Sequence, residues 1–247
     1  MPLNQADIEK LTLTADYHTH TVYSHGTGTI EQNVREAVRK GLKEIAITDH
    51  GFRHWMIAIS PDDIPKMRAE IDALKAKYPI DILLGIEANI ISMNGDLDIS
   101  EEQAKQLDIL LFGAHFTAKP TSFKNFTSWW LRNLFFQTKA QREKNANAYA
   151  KAIRRYKPKI VTHINHMLRV DCAIVARAAA EVGTLIELNG KRADFSQAEI
   201  DAILDAGANF VISSDAHSPE RVGDAGVAFK LLAKREIPLN RIVNLKY

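Results

Sequence analysis

Seven short apolar segments alternate with longer segments of helical periodicity along this chain of 247 residues. The apolar segments span residues 11–17, 44–48, 80–86, 108–113, 159–162, 184–188 and 209–213. Helix candidates with apolar residues at three- and four-residue spacing lie between them, at 30–40, 64–78, 174–182, 197–206 and 226–235. The first four of these stop at Gly or Pro, which commonly end helices. The alternation is typical of βα units around a parallel sheet.

Composition places the chain among ordinary globular proteins, and we expect one barrel domain over residues 1–247. The 32 basic and 30 acidic residues nearly balance, which argues against a dedicated binder of phosphate backbones. The single cysteine, Cys172, cannot form an internal disulfide and indicates a reducing compartment. The N-terminus lacks the layout of a signal peptide, and the apolar segments are far shorter than the roughly 18 residues of a membrane span. We therefore expect a cytoplasmic protein that does not enter a membrane.

Six of the seven predicted strands end in a side chain that can bind a metal. These are His18 and His20 after the first, His50 after the second, Glu87 after the third, His115 after the fourth, His163 after the fifth, and Asp215 and His217 after the seventh. The sixth offers Glu187 and Asn189. Because βα barrels build their active sites at the C-terminal ends of different strands, these groups should converge at one mouth.

Spacing within the first and last groups adds a second constraint. Side chains two residues apart in extended backbone point to the same side, so His18 and His20 can share one metal, as can Asp215 and His217. His25 follows closely enough to fold over the same mouth. A single His-x-His pair is a weak signal, but joint occurrence at strand ends predicts a metal site. Imidazoles and carboxylates without thiolates suit zinc, manganese or iron.

The ordered motifs resemble those of the PHP family, named for polymerase and histidinol phosphatase. They are His18-x-His20, His25, Thr48-Asp49-His50-Gly51, Gly85-Ile86-Glu87-Ala88-Asn89, His115, His163 and Asp215-x-His217. The resemblance runs from about residue 16 to 223 and is strongest to the small stand-alone bacterial phosphoesterases of the family. It implies an α/β fold, a distorted TIM-like (β/α)7 barrel, consistent with the seven apolar segments.

The resemblance also implies a ligand set and an activity. The implied ligands are His18, His20, His25, His50, Glu87, His115, His163, Asp215 and His217, holding three divalent ions, with zinc as the first choice and manganese or iron as alternatives. The implied activity is hydrolysis of phosphoric esters, as in a histidinol-phosphatase-like phosphomonoesterase that acts on a small phosphorylated substrate. Metal-bound hydroxide would be the nucleophile, so no protein nucleophile is expected. His166 remains the alternative to His163, because the chain reads His163-Ile164-Asn165-His166 where similar relatives show His-Pro.

Residues around these ligands receive predicted roles from their chemistry. Arg53, Lys191 and Arg192 follow strand ends and could hold the remaining phosphate oxygens. Asp16 and Asp49 could orient ligand imidazoles as hydrogen-bond acceptors. We interpret His54 as a loop residue near the mouth and Cys172 as a packing residue.

The stretch at about 116–144 is longer than expected between the fourth strand and its helix, and we interpret it as an insertion. Residues 119–144 hold six basic residues and one acidic residue. Their aromatic residues are Phe123, Phe126, Trp129, Trp130, Phe135 and Phe136. Basic groups among aromatics can bind nucleic acid. We favour packing, a lid over the mouth or a homo-oligomer contact, because the net charge is near zero.

Two other enzyme classes and one non-catalytic class remain as alternatives. A metal-dependent amidohydrolase or a barrel nuclease also opens with His-x-His on its first strand. A typical dinuclear amidohydrolase carries a bridging lysine at the end of strand four, where this chain has His115. A non-catalytic metal-binding regulatory module would have no physical need to keep so many converging polar groups.

Overall fold

The computed structural model of this protein describes residues 2–135 and 138–247. Its strands are β1 (Thr12–Leu13), β2 (Ala15–Asp16), β3 (Glu44–Ile47), β4 (Asp81–Asn89), β5 (Ile109–Gly113), β6 (Ile160–Val161), β7 (Leu185–Asn189), β8 (Phe210–Ser213) and β9 (Leu245–Lys246). Its α-helices are α1 (Gln5–Ile8), α2 (Ile30–Arg39), α3 (Asp63–Lys75), α4 (Glu101–Ala104), α5 (Phe123–Asn125), α6 (Arg132–Phe135), α7 (Lys139–Tyr156), α8 (Cys172–Val182), α9 (Gln197–Asp205) and α10 (Gly226–Leu232). Strands and helices alternate from β2 onward, as the sequence pattern predicts.

Strands β2 to β8 form one parallel sheet in chain order. Just past the two outer strands, Thr19 pairs with Ala216 in parallel orientation. The backbone N–H of His20 donates to the carbonyl of Ala216 at 2.8 Å, and the N–H of Ala216 donates to the carbonyl of His18 at 3.2 Å. These contacts join the first and last strands at their C-terminal ends. The predicted seven-stranded, distorted (β/α)7 barrel is therefore confirmed.

The side chain of Asn244 joins the same two strands at the other end of the seam. Its Nδ2 donates to the carbonyls of Ala15 and Ile212 at 2.8 and 2.7 Å, and its Oδ1 accepts from the N–H of Ile212 at 3.0 Å. Asn244 is 2% exposed, so these bonds are shielded from water. It directly precedes β9, which pairs antiparallel with β1 outside the barrel.

Apolar side chains fill both faces of the sheet. The barrel interior is packed by Ala46, Ile109, Leu111, Ile160, Leu185 and Val211. A larger apolar cluster fills the space between the strands and the surrounding helices. Strands β5, β7 and β8 are buried at every residue, which is typical of a parallel sheet covered on both faces.

Helices α2, α3, α8, α9 and α10 match the five helix candidates of the sequence within a few residues. Thr29 and Gln32 form a capping box at the start of α2, and Ser196 and Glu199 form one at the start of α9. Gly183 ends α8 in the left-handed conformation that glycine adopts without strain. Side-chain caps and glycine thus set the helix bounds that the sequence indicates.

The stretch between β5 and α7 contains α5, a π-helical turn at Phe126–Leu131 and α6. Trp129 is fully buried, and Trp130 packs against Phe116 with ring centroids 5.2 Å apart. Phe123 and Phe135 are exposed. Phe136, one of the aromatic residues singled out in the sequence, lies outside the described residues. Within the described ranges, no helix has both the length and the apolar character that crossing a bilayer requires.

Candidate metal centre

The C-terminal ends of the strands bring the predicted ligands together. His18 and His20 follow β2, His50 follows β3 and Glu87 lies within β4. The remaining four are His115 after β5, His163 after β6, and Asp215 and His217 after β8. All of these except His217 are buried. His25 is exposed, but its ring stacks on that of His50 with centroids 4.8 Å apart.

Glu87 lies at the centre of this histidine cluster. Its Oε2 is 3.1 Å from His50 Nδ1, 3.3 Å from His18 Nε2 and 3.7 Å from His20 Nε2. Its Oε1 is 2.9 Å from His163 Nε2 and 3.6 Å from His115 Nε2. One carboxylate therefore faces five imidazoles that come from four different strand ends.

Glycine at position 113 leaves room for this arrangement. A Cβ there would collide with the Thr162 hydroxyl and the His163 ring. The Thr162 hydroxyl in turn donates to Glu87 Oε1 at 2.8 Å. The absence of a side chain at the end of β5 thus allows β4 and β6 to present Glu87 and His163 to each other.

Asp215 is a second carboxylate near the same Nε2 atoms of His18 and His20. Its Oδ1 is 3.6 Å from His20 Nε2 and 3.9 Å from His18 Nε2. Its backbone φ is +53°, in the left-handed region, and that of His163 is +25°. Non-glycine residues adopt these values at a cost and tend to do so at functional sites.

Several polar atoms of the cluster are buried without any hydrogen-bond partner. They are His18 Nε2, both ring nitrogens of His20, His50 Nδ1 and Glu87 Oε2. A buried polar atom left unpaired costs about 1–3 kcal/mol, so five in one place require an explanation. Divalent cations would supply the missing partners for all of them. The residues present therefore fit a metal site.

Four groups of side chains bring their ligand atoms within 4.8 Å of one another. They are His20, His25, His50 and His217; His50, His54 and His115; His18, His20 and Asp215; and His18, Glu87 and His163. The groups overlap, so the cluster could hold more than one ion. Nitrogen and oxygen ligands without sulfur suit zinc, manganese or iron.

The charges in the cluster shift its pKa values in opposite directions. Burial opposes ionisation of Glu87 and Asp215, but the surrounding imidazoles outweigh it and lower the pKa of both carboxyl groups. Burial also opposes protonation of His18 and His163, but the carboxylates around them outweigh it and raise both pKa values. Burial lowers the pKa of His20 and His115. Both carboxylates are therefore ionised at neutral pH, and His20 and His115 are neutral, as metal ligands must be.

Two side chains fix the orientation of ligand imidazoles. His18 Nδ1 donates to Glu187 Oε1 at 2.8 Å, and His115 Nδ1 donates to Asn89 Oδ1 at 2.8 Å. With Nδ1 engaged in this way, Nε2 of each ring faces Glu87 and is the nitrogen that can bind a metal. The sequence places Glu187 at the sixth predicted strand and Asn89 within the motif that contains Glu87, but it predicts this role for neither. Asn89 ends β4, the strand next to the one that His115 follows, whereas Glu187 lies on β7, which β8 separates from β2.

The predicted orienting role of Asp16 and Asp49 needs correction, because their bonds run to backbone and hydroxyl groups. Asp16 accepts from the N–H groups of His18 at 3.3 Å and Gly223 at 2.7 Å, and from Ser214. Asp49 accepts from Thr21 and Ser24. These carboxylates hold the loops that carry the ligands and do not hold the imidazole rings.

The two alternative histidines after β6 occupy different places. His163 is buried against Glu87, whereas His166 lies further out and contacts Arg192. Burial and then the Arg192 charge lower the pKa of His166 to about 4. The geometry favours His163 as the ligand and leaves His166 on the rim.

A cavity of about 360 Å³ opens above the cluster. Lys191 and Arg192 are in its wall, and Lys191 Nζ lies 3.4 Å from Asp215 Oδ1. Burial lowers the pKa of Lys191. Arg53 is not among the residues that line this cavity. Its Nε donates to the carbonyl of Lys119 at 3.4 Å. Of the three predicted phosphate-binding residues, the structure brings only Lys191 and Arg192 to the cluster.

His54, predicted as a loop residue near the mouth, lies within the cluster. Its ring stacks on that of His50 with centroids 4.5 Å apart, and its Nε2 is 2.6 Å from Thr117 Oγ1. Burial lowers its pKa to about 4, so it is neutral at physiological pH. Cys172 lies apart at the start of α8, where burial raises the pKa of its thiol to about 12. It is a packing residue, as expected.

Comparison with known proteins gives results that agree with this geometry. The family model described as PHP domain matches residues 16–210. A "probable phosphatase" of Caldanaerobacter subterraneus subsp. tengcongensis is 30% identical over 95% of this chain and 88% of its own length. A "probable phosphatase" of Shewanella sp. is 31% identical over 93% of this chain and 86% of its own length.

Solved structures include proteins of similar fold, and one of them contains bound ligands. It is the histidinol phosphate phosphatase of Lactococcus lactis subsp. lactis, complexed with zinc, L-histidinol and phosphate. The TM-score is 0.65 at 19% identity, over 90% of this chain and 93% of that chain. At this identity the likeness supports the barrel fold.

Proposed function

Because this chain belongs to the PHP domain family, we propose that it is a metal-dependent phosphatase that hydrolyses phosphoric monoesters at the histidine cluster. The relatives named "probable phosphatase" cover nearly the whole chain and support this class of activity. The structural neighbour that holds zinc and phosphate supports the same chemistry. We further propose one barrel domain with an insertion at about 116–144, and a small phosphorylated substrate in the cytoplasm.

One observation carries the proposal: unpaired, buried nitrogen and oxygen atoms surround Glu87, which lines a cavity that also has two basic side chains in its wall. We assign the metal ligands as His18, His20, His25, His50, Glu87, His115, His163, Asp215 and His217. This set has the capacity for three divalent ions, with zinc as the first choice and manganese or iron as alternatives. When bound, such ions activate water as a hydroxide nucleophile and withdraw charge from phosphoryl oxygens, so no protein nucleophile is needed.

The protein's own residues bind and orient the ester. Lys191 and Arg192 lie in the cavity wall, where their cationic groups can pair with phosphoryl oxygens. Asp215 holds the Lys191 ammonium at 3.4 Å, which limits its movement away from the phosphate. Glu187 and Asn89 keep the Nε2 atoms of His18 and His115 directed at the site. The buried walls around Glu87 exclude bulk water from the reacting groups, which strengthens each electrostatic contact.

The alternative enzyme classes have less support. A bridging lysine of the amidohydrolase type would have to stand where His115 contacts Glu87 at 3.6 Å. A nuclease that follows a polymer would need a row of cationic side chains along the phosphate backbone, and among the described residues the lining of this cavity holds two, Lys191 and Arg192. A regulatory module without catalysis would not need Lys191 and Arg192 beside the ligands.

A substrate panel tests the proposal. The purified protein is stripped with a chelator, reloaded with zinc, manganese or iron(II), and assayed for phosphate release from a panel of phosphomonoesters. Nuclease and amidase substrates are assayed in parallel. We expect release of phosphate only in the reloaded samples. Turnover of an amide or polynucleotide without turnover of any phosphomonoester would contradict the proposal.

A further inference from the structure

A second cavity lies beside the one above the metal cluster, and it is apolar. Its volume is about 400 Å³, and its lining is Trp55, Phe116, Ala118, Pro120, Phe126, Trp130 and Leu131. This volume lies in the range of small-molecule binding sites, which are also predominantly apolar and aromatic. None of these seven side chains is charged. The two adjoining cavities therefore differ sharply in chemistry.

The two cavities share a wall. His54 lines the metal cavity and the next residue, Trp55, lines the apolar one. Thr117 lines the metal cavity and both of its neighbours, Phe116 and Ala118, line the apolar one. Consecutive Cα atoms are about 3.8 Å apart, so the cavities are separated by a single thickness of chain.

Hydrogen bonds hold this wall in place. The N–H of Trp55 donates to the carbonyl of Thr117 at 2.7 Å, and His54 Nε2 lies 2.6 Å from Thr117 Oγ1. The Lys119 ammonium lies 5.4 Å from the centre of the Trp55 ring and supports its outer face. Thr117 is exposed, so it forms the rim over which a ligand could reach from one cavity into the other.

Several lining side chains remain open to solvent. Trp55 is 59% exposed, and Phe126 and Leu131 are each 42% exposed. Clustered exposed apolar side chains mark binding sites in soluble proteins. The lining of the metal cavity includes Ile57 and Met167, but most of its side chains are imidazoles, carboxylates and cations, which offer little to an apolar alcohol.

We propose that the apolar cavity binds the alcohol part of the substrate, and that the substrates are phosphate monoesters of apolar, preferably aromatic, alcohols. This inference rests on the proposed phosphatase function, because it places the phosphate at the metal cluster. The shared wall favours the substrate over a second copy of the chain as the occupant. A flat aromatic group can stack on Trp55 or Phe126 while its phosphate reaches across Thr117.

The kinetic test compares Phe126→Ala with Phe135→Ala. Phe126 lines the cavity, whereas Phe135 is an exposed phenylalanine of the same segment and is not among the lining residues. Trp55→Ala is a second cavity variant, because an exposed side chain can be removed with little effect on folding. We expect kcat/KM for 1-naphthyl phosphate to fall about tenfold or more in both cavity variants, mainly through KM. With glycerol 2-phosphate, kcat/KM of the cavity variants should change less than about twofold. Phe135→Ala should change kcat/KM less than about twofold with either ester.

A binding test makes the inference independent of turnover. Tryptophan fluorescence is titrated with 1-naphthol, which lacks phosphate, in the metal-loaded wild type and each variant. We expect saturable binding in the wild type and Phe135→Ala, and binding weaker by about tenfold in Phe126→Ala. If 1-naphthol still binds but no ester is hydrolysed, the result would contradict the proposed phosphatase function and leave the apolar binding site intact.

Other outcomes would overturn the inference while leaving the phosphatase function intact. These are hydrolysis of both esters with no selective loss in the cavity variants, or equal naphthol binding by the wild type and Phe126→Ala. Sedimentation velocity identifies the rival occupant. A wild-type dimer that Phe126→Ala dissociates, with no naphthol binding, would assign the cavity to a second copy of the chain.

Discussion

Glu187 accepts a hydrogen bond from His18 at 2.8 Å on the ring edge opposite Glu87, whose Oε2 lies 3.3 Å from the other ring nitrogen. The His18 ring is therefore held between two carboxylates. The other oxygen of Glu187 accepts from the backbone N–H of His163 at 2.8 Å. One carboxylate on β7 thus positions two predicted ligands that follow β2 and β6.

Replacing Glu187 by glutamine should weaken metal binding without removing a ligand. The variant keeps the side-chain shape but loses the charge that fixes the His18 tautomer, and such changes typically cost about 10–100-fold in metal affinity. Competition with a fluorescent zinc chelator measures the effect. Glu199→Gln is the matched control, because Glu199 caps α9 and contacts Asn165. Equal zinc affinity in Glu187→Gln and the wild type would contradict the assigned role.

Metal uptake should release protons, and affinity should rise with pH. The carboxylates around His18 and His163 raise the pKa of both rings in the metal-free protein, so metal must compete with protons for them. Lowering the pH favours the protonated rings and weakens apparent binding by up to about tenfold per pH unit for each proton displaced.

Calorimetry in two buffers of different ionisation enthalpy counts the released protons. Glu187→Gln should release fewer, because one of the carboxylates that raises the His18 pKa is then neutral. Zinc affinity that stays constant between pH 6 and pH 8 would be the contrary result.

Asn244→Ala should destabilise the barrel seam. The substitution leaves the carbonyls of Ala15 and Ile212 and the N–H of Ile212 without their side-chain partner in a buried position. We expect the free energy of unfolding to fall by about 2–4 kcal/mol, measured by urea denaturation. Asn240→Ala is the control, because Asn240 lies four residues before Asn244 and is exposed to solvent. This substitution should change the free energy of unfolding by no more than about 0.5 kcal/mol. A seam variant as stable as this control would refute the closing role of Asn244.

The barrel and the ligands of the cluster follow from the sequence because both depend on local rules. Apolar segments punctuated by Gly and Pro predict the strand and helix order, and parallel strands place their C-terminal ends at one mouth. Strand lengths follow the segments less closely, since β2 and β6 comprise two residues each and β4 runs to Asn89, past the end of its segment. Their remaining apolar residues lie in the adjoining loops.

The contacts around the ligands depend on partners far apart in the chain, and the sequence does not reveal them. His18 and Glu187 are separated by 169 positions, and Asp16 meets Ser214 across 198. Spacing can place a side chain at the mouth but cannot determine which neighbour it bonds. The partners of Asp16, Asp49 and Arg53 could not be foreseen for this reason, and neither could the apolar cavity.

Metal content and activity of Glu87→Gln give the most direct test of the metal-centre account. Glu87 faces five imidazoles, and its replacement removes a charge from the middle of the cluster. Elemental analysis after reloading and dialysis, with phosphate release measured on the same sample, reports both properties. The account predicts that the variant, folded by circular dichroism, loses metal and phosphatase activity together while Glu199→Gln keeps both. Normal metal content with full phosphatase turnover in Glu87→Gln would contradict it.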